Sequence, residues 1–467
     1  MTTTALDFAR RNQPRFLEEL KTLLRIPSVS TDPDHREDVR RAAEHIAAEL
    51  TRIGLENVNL IETTGTSPTA HPLVYADWLH APDAPTVLFY GHYDVQPPDP
   101  LDEWLSPPFE PTERDGNLYA RGAVDDKGQM FMHIKAVESL FAAHGSLPLN
   151  VRFLIEGEEE VGGEGIAAYV ATKPANLAAD FCIVSDTSMF APGLPTLCIG
   201  LRGMIYTEIE VRSARVDLHS GYGGAAPNSF NALAHILAKI KDESGRILIP
   251  GILDTVQPPA EDELRSWRSL PFNEDEFRES VLGCQAIVGD ARFSVFERLW
   301  AQPTFDVHGI PGGFTGVGAK TVIPAKATAK ASMRLAPNMT AVDTFRRFRE
   351  YVQQICPLGV SVEVRLIHSA EPSLIPVDNP WIRASASAMT EVWGRETVFV
   401  RTGGSIPIVG DLQRHLSLPC VMMGFGLADD NLHAPNEKFS IHNFHLGIES
   451  ILRFLERAST LRPDRHA

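Results

Sequence analysis

Short apolar runs alternating with amphipathic stretches dominate the first half of the chain. FLEELKTLLRI reads as a helix, a Pro/Ser/Asp break follows from Pro27 to Pro33, and EDVRRAAEHIAAELTRIG reads as a second helix stopped at Gly54. Beyond it the runs TVLFY (86–90), VRFLI (151–155) and FCIV (181–184) have strand character. Between the first two, a helix is predicted from Gln129 to about Ala143, with Met130, Phe131, Ile134, Val137, Leu140 and Phe141 on one side. Strands alternating with helices imply an α/β layer on a largely parallel sheet.

The period changes after Gly200. MIYTEIEVRSA alternates polar and apolar, NSFNALAHILAKI is an amphipathic helix, KATAKASMRLAP is strand-like, TAVDTFRRFREYVQQI is a second helix, and VSVEVRLIH is another strand. This order, with one further strand left unplaced, implies a smaller α+β (ferredoxin-like) domain whose helices cover one face of an antiparallel sheet. From about Asp378 the α/β pattern returns with the helix WIRASASAMTEVW and the run CVMMGF (420–425). The predicted architecture is a discontinuous α/β domain, residues 1–203 and 378–467, interrupted by a second domain at 204–377. The latter holds a charged, proline-bearing insertion near 251–300 whose role the pattern does not disclose.

A length of 467 residues agrees with two domains, because single cores rarely grow past roughly 250–300 residues. A net charge of -17 argues against nucleic acid or an anionic membrane as partner, and bound divalent cations would offset part of it. The start, MTTTALDFARRNQPRF, has no apolar segment before a cleavage site, so no secretory signal is expected. No apolar run approaches the ~20 residues needed to span a bilayer. Five cysteines (Cys182, Cys198, Cys284, Cys356, Cys420) are scattered without CxxC spacing, which fits a cytoplasmic location and leaves histidines and carboxylates to hold any metal.

Candidate chemistry begins at EGEEEVGGEG, directly behind VRFLI. Glu156, Glu158, Glu159 and Glu160 crowd the end of an apparently buried strand, where like charges repel and desolvation is costly. Sites in α/β sheets form beyond the carboxyl ends of strands. GHYDVQP after TVLFY offers His92 and Asp94, SDTSM after FCIV offers Asp186, and GLADDNLHAPNEKF after CVMMGF offers His433. RGAVDDKG puts Asp125 and Asp126 at the start of the Gln129 helix. Taken singly, these are ordinary features: a turn histidine, a helix cap, a solvated acidic loop, an Asx-turn. Together they form a thiol-free set of two histidines and several carboxylates, suited to divalent ions such as Zn or Mn.

At these residues the chain resembles the co-catalytic dinuclear metallopeptidases. That family includes carnosine and cytosolic dipeptidases, glutamate carboxypeptidase, aminoacylase, and acetylornithine and succinyl-diaminopimelate deacylases. The elements G-H-x-D-V, R-G-x-x-D-D-K-G, E-G-x-E-E, S-D and H-x-x-N-E appear in the family's order over nearly the whole length. The resemblance implies two divalent metal ions bridged by Asp125, with His92 and Asp186 completing one site and Glu160 and His433 the other. It makes Glu159 the general base; the residues alone do not rank Glu158, Glu159 and Glu160. Asp94 is expected to accept a bond from the His92 ring, and Glu156 and Glu158 are expected to be peripheral.

The resemblance also makes 1–203 with 378–467 the catalytic domain and 204–377 a lid and dimerisation domain. Within the latter, His219 in DLHSGYGGAAPN is expected to stabilise the oxyanion, acting across a homodimer on the partner's site. Arg334, Ser405 and His368 match substrate contacts, although SAEPSLIP after His368 departs from the family's Gly-rich continuation. Aspartate at 186, where deacylases of the family usually carry glutamate, implies a broad-specificity dipeptidase acting on small peptides. The alternatives are an N-acyl- or N-carbamoyl-amino-acid amidohydrolase and a catalytically silent peptide-binding relative.

Overall fold

The computed structural model describes residues 4–63 and 70–462. The expected first domain therefore has its ends, 1–3 and 463–467, outside the described residues. The chain divides into two compact units, Met1–Ile199 with Ile375–Val400 and Asp411–Ala467, and Gly200–Leu374 with Arg401–Gly410. The RTGGSIPI segment thus belongs with the second unit.

The large sheet has a parallel centre. Asn150–Glu156, Thr86–His92, Phe181–Val184 and Cys420–Gly424 lie side by side in that order, each parallel to its neighbour. Parallel strands need cover on both faces, which explains their uninterrupted apolar runs. Antiparallel strands flank this centre: Leu73–Trp78 and Glu56–Ile61 on one side, Thr196–Leu201 on the other. Because the four central strands run the same way, their carboxyl ends gather along one edge of the sheet.

The helix predicted from Gln129 runs from Lys127 to His144, and it is buried on more than one side. Its polar residues are met inside the protein: Lys135 Nζ lies 2.6 Å from Glu19, 3.0 Å from Glu49 and 3.1 Å from Glu138. The carboxylates of the amino-terminal helices Gln13–Leu24 and Arg36–Arg52 therefore cover a face that reads as solvent-facing in the sequence.

The second unit holds four antiparallel strands, ordered Thr304–Gly309, Lys326–Leu335, Gly203–Arg212, Ser361–Ala370. With the helices Ser229–Ile240 and Ala341–Gln354 the chain order is βαββαβ, the ferredoxin-like arrangement. Ile205, Ile209, Ile236, Ala329, Met333 and Phe348 are central to its core. The strand left unplaced by sequence is Thr304–Gly309, an edge strand in which Phe305 alone is buried. The insertion forms short helices, among them Glu261–Arg268 and Val295–Trp300, around an aromatic cluster in which Trp267 and Trp300 lie 5.1 Å apart. Among the described residues no helix is long and apolar enough to cross a membrane.

Candidate active site

The carboxyl ends of the four parallel strands deliver the site. His92 closes its strand, pairs in register with Glu156 on the neighbour, and is fully buried. Two glycines permit the crowding there. A Cβ at Gly91 would lie 2.6 Å from Met130 Cγ, and one at Gly157 would lie 2.4 Å from the Tyr93 ring.

Asp125 is the centre of the cluster. Its Oδ1 lies 3.1 Å from His92 Nε2 and its Oδ2 lies 2.9 Å from His433 Nε2. The ring of His92 is fixed from behind, with Nδ1 3.1 Å from the backbone carbonyl of Asp94 and 3.4 Å from its Oδ1. The backbone carbonyl, rather than the expected carboxylate, is thus the nearer partner. Either contact leaves Nε2 facing Asp125. The Asp94 carboxylate instead accepts from Ser30 Oγ at 2.7 Å and from the backbone N–H groups of Glu160 at 3.1 Å and Glu159 at 3.3 Å. It therefore orients the turn Glu159–Val161 that carries both glutamates.

Glu160 Oε2 accepts from Gln96 Nε2 at 2.8 Å, and its Oε1 lies 3.4 Å from His433 Nε2. Asp126 does not act as a side-chain helix cap; its Oδ2 accepts from the His92 backbone N–H at 3.2 Å, and its buried Oδ1 has no partner among the described residues. His433 sits at φ +57°, a left-handed conformation costly for a residue with a Cβ and found where function over-determines the backbone. Glu156 and Glu158 stand outside both histidine-bearing clusters, yet neither is a solvated loop acid. Both are buried, Glu156 accepting from Tyr90 Oη at 2.7 Å and Glu158 from the His71 N–H at 3.3 Å. A run of acids looks solvated in sequence because the groups that enclose it come from elsewhere.

Two candidate ligand groups result: His92, Asp125 and Asp186, and Asp125, Glu160 and His433. Within each, one ligand atom per residue lies within 4.8 Å of the others. The electrostatics call for cations. Burial, then repulsion by Asp125, drives the Asp186 carboxyl well above its ordinary range. Bonds from Asp125 and Glu160 push His433 up to about 10, so the carboxylates hold a proton on the imidazole. Burial and the charge of Glu160 push Glu159 up to about 7, although His92 opposes them. A nitrogen and oxygen donor set without thiolates, crowded with partly compensated carboxylates, fits divalent ions.

In the second unit, Arg334 Nη1 donates to Ser405 Oγ at 2.9 Å, and Ser405 Oγ donates to the backbone carbonyl of Arg202. Arg202 was not evident from the sequence. Burial and the adjacent Arg334 push its guanidinium down to about 10, so the two arginines favour an anion beside them. His219 is exposed on a short ribbon paired with Val322, and its Nδ1 accepts from the Gly221 N–H at 2.9 Å. His368 is half-buried on the edge strand opposite Tyr206, just past a register shift. Arg334 and Ser405 come together; neither His219 nor His368 bonds to them.

Fold and site together define a metal-dependent hydrolase. The family model described as Peptidase family M20/M25/M40 matches residues 88–457, well over half of the chain. The chain belongs to this family and is a metallopeptidase. Cys-Gly metallodipeptidase dug1 of Schizosaccharomyces pombe is 32% identical over 467 residues, covering 97% of this chain and 97% of that one. Beta-Ala-His dipeptidase of Homo sapiens is 31% identical over 456 residues, covering 95% of this chain and 90% of that one. Among solved structures, the M20 family metallo-carboxypeptidase Sso-CP2 from Sulfolobus solfataricus matches with a TM-score of 0.85 at 30% identity, covering 96% of this chain and 99% of that chain.

Proposed function

We propose that this chain is a broad-specificity dipeptidase working with two divalent ions, Zn or Mn, in the cytoplasm. The observation that carries the reading is the double use of Asp125, each of whose oxygens faces a different histidine. Its carboxylate would bridge the ions, with His92 and Asp186 on one and Glu160 and His433 on the other. Such ions, when bound, polarise the scissile carbonyl and acidify water.

The chain's own residues do the rest. Glu159, held by the Asp94 carboxylate through its N–H, takes the proton from the attacking water and passes it to the departing amine. His219 supplies a donor to the oxyanion from Nε2, because Nδ1 already accepts a bond from the backbone. In this reading it acts on the partner subunit's site in a homodimer. Arg334 and Ser405 receive the carboxylate at the end of the peptide, with the charge of Arg202 reinforcing the demand for an anion. His368 contributes a further substrate contact.

Assaying unblocked dipeptides beside N-acetyl and N-carbamoyl amino acids tests the substrate. Turnover of the dipeptides is expected. Turnover confined to the blocked compounds would instead make the chain an N-acyl- or N-carbamoyl-amino-acid amidohydrolase.

A further inference from the structure

We propose that Glu437 is a positioning residue that sets Asp125 for metal binding and locks the three ligand-bearing loops to one another. The inference rests on Asp125 as the shared ligand and adds a role to a carboxylate that is not itself a ligand.

Glu437 lies four positions beyond His433 in HAPNEKF and is fully buried. Its carboxylate accepts four hydrogen bonds. Oε1 receives the backbone N–H groups of Val124 at 3.0 Å and Asp125 at 3.1 Å. Oε2 receives the N–H of Gly122 at 2.9 Å and Arg121 Nη1 at 2.8 Å. A carboxylate has about four acceptor positions, so this one is saturated and has no lone pair left for an ion. Arg121 offsets part of its charge, while burial and the neighbouring Asp125 still push the Glu437 carboxyl above its ordinary range.

The same pair reaches the third loop. Arg121 Nη2 donates to the backbone carbonyl of Pro97, at the end of the GHYDVQP segment that carries His92 and Asp94. One buried ion pair therefore joins the His433 loop, the Asp125 loop and the His92 loop. The His433 loop needs such an anchor, because His433 and Asn436 both sit at positive φ, 57° and 62°. Strained residues hold such conformations when their surroundings fix them. Chemistry also selects the side chain. All four partners are donors, so the amide of a glutamine would turn an NH₂ group toward two of them, and an aspartate is one methylene too short.

The test uses the full-length chain stripped with chelator and titrated with Co²⁺ alone, followed through the visible ligand-field spectrum. Wild type is expected to take up two equivalents. Glu437→Gln is expected to bind cobalt roughly 10- to 100-fold more weakly, with shifted ligand-field bands. Two equivalents bound by Glu437→Gln with wild-type affinity and an unchanged spectrum would overturn the inference and leave the dinuclear reading intact. No cobalt uptake by wild type would overturn both. Should the variant fail to fold, amide hydrogen exchange of the wild-type chain decides. Strong protection of Val124 and Asp125 is expected, and exchange at the unfolded rate would contradict the role.

Discussion

Nε2 of His433 sits 2.9 Å from Oδ2 of Asp125, although 308 positions separate the two residues. The opposite oxygen of Asp125 faces His92, so one carboxylate links a ligand from each end of the discontinuous unit. The chain interrupts that unit with a whole second domain and still closes the site. The four parallel strands explain how, since each delivers its carboxyl end to the same edge of the sheet.

Replacing Glu159 with Gln removes the proton acceptor and leaves the two ligand groups intact. Metal content should stay at the wild-type level while kcat falls by roughly 10²- to 10⁴-fold. Steady-state kinetics alongside elemental analysis of the same sample check this. Unchanged kcat would remove Glu159 from the chemistry.

Arg334→Lys keeps a positive charge but loses the planar fork that matches a carboxylate. KM for dipeptides should rise about 10- to 100-fold, the effect of losing a charge-assisted bond worth about 1.5–3 kcal/mol. Dipeptide amides, which lack the carboxylate, should be turned over equally by variant and wild type. Equal losses on both substrates would refute carboxylate recognition by Arg334.

Much of the candidate ligand set was legible because its residues follow apolar strands at local spacing. His92, Asp186 and His433 each trail a run that periodicity identifies. What stayed hidden depends on partners distant in sequence. Ser30 gives no local sign that it bonds Asp94, and Arg202 gives none that it stands beside Arg334. Thr304–Gly309 escaped because an exposed edge strand with one buried residue lacks the alternation that marks a half-buried strand. The enclosure of Glu156 and Glu158 was hidden because sequence shows their charge and not what surrounds them.

The insertion is tied to the RTGGSIPI segment by a buried ion pair. Arg401 donates to Glu263 through Nε at 3.0 Å and through Nη2 at 2.8 Å to each oxygen, beneath the ring of Trp267. Glu263→Ala strands the buried guanidinium and should destabilise the second unit by about 3–5 kcal/mol. The double variant Glu263→Leu/Arg401→Met should recover most of that loss. Urea unfolding followed by tryptophan fluorescence is the measurement. A Glu263→Ala variant as stable as wild type would mean that the pair does not anchor the insertion.

Three groups should each subtract stability as pH falls. Burial lowers His445 from 6.5 to about 4 and His133 from 6.5 to about 3, so the unfolded chain binds protons that the native chain refuses. Their stabilising effect is full above pH 6.5 and is lost as pH falls toward 4 and 3. Glu49 is depressed from 4.5 to about 2, since Arg52 and Lys135 outweigh its burial, and its share is lost between those values. Urea midpoints measured against pH should fall less steeply below pH 6.5 for His445→Gln than for wild type. Identical slopes would contradict the assignment.

The most direct measurement is elemental analysis of reloaded, desalted protein, comparing wild type with Asp125→Asn. Wild type is expected to hold two ions per chain, one for each ligand group, and Asp125→Asn at most one. A metal-free wild type, or an Asp125→Asn variant that still holds two, would contradict the shared-carboxylate centre.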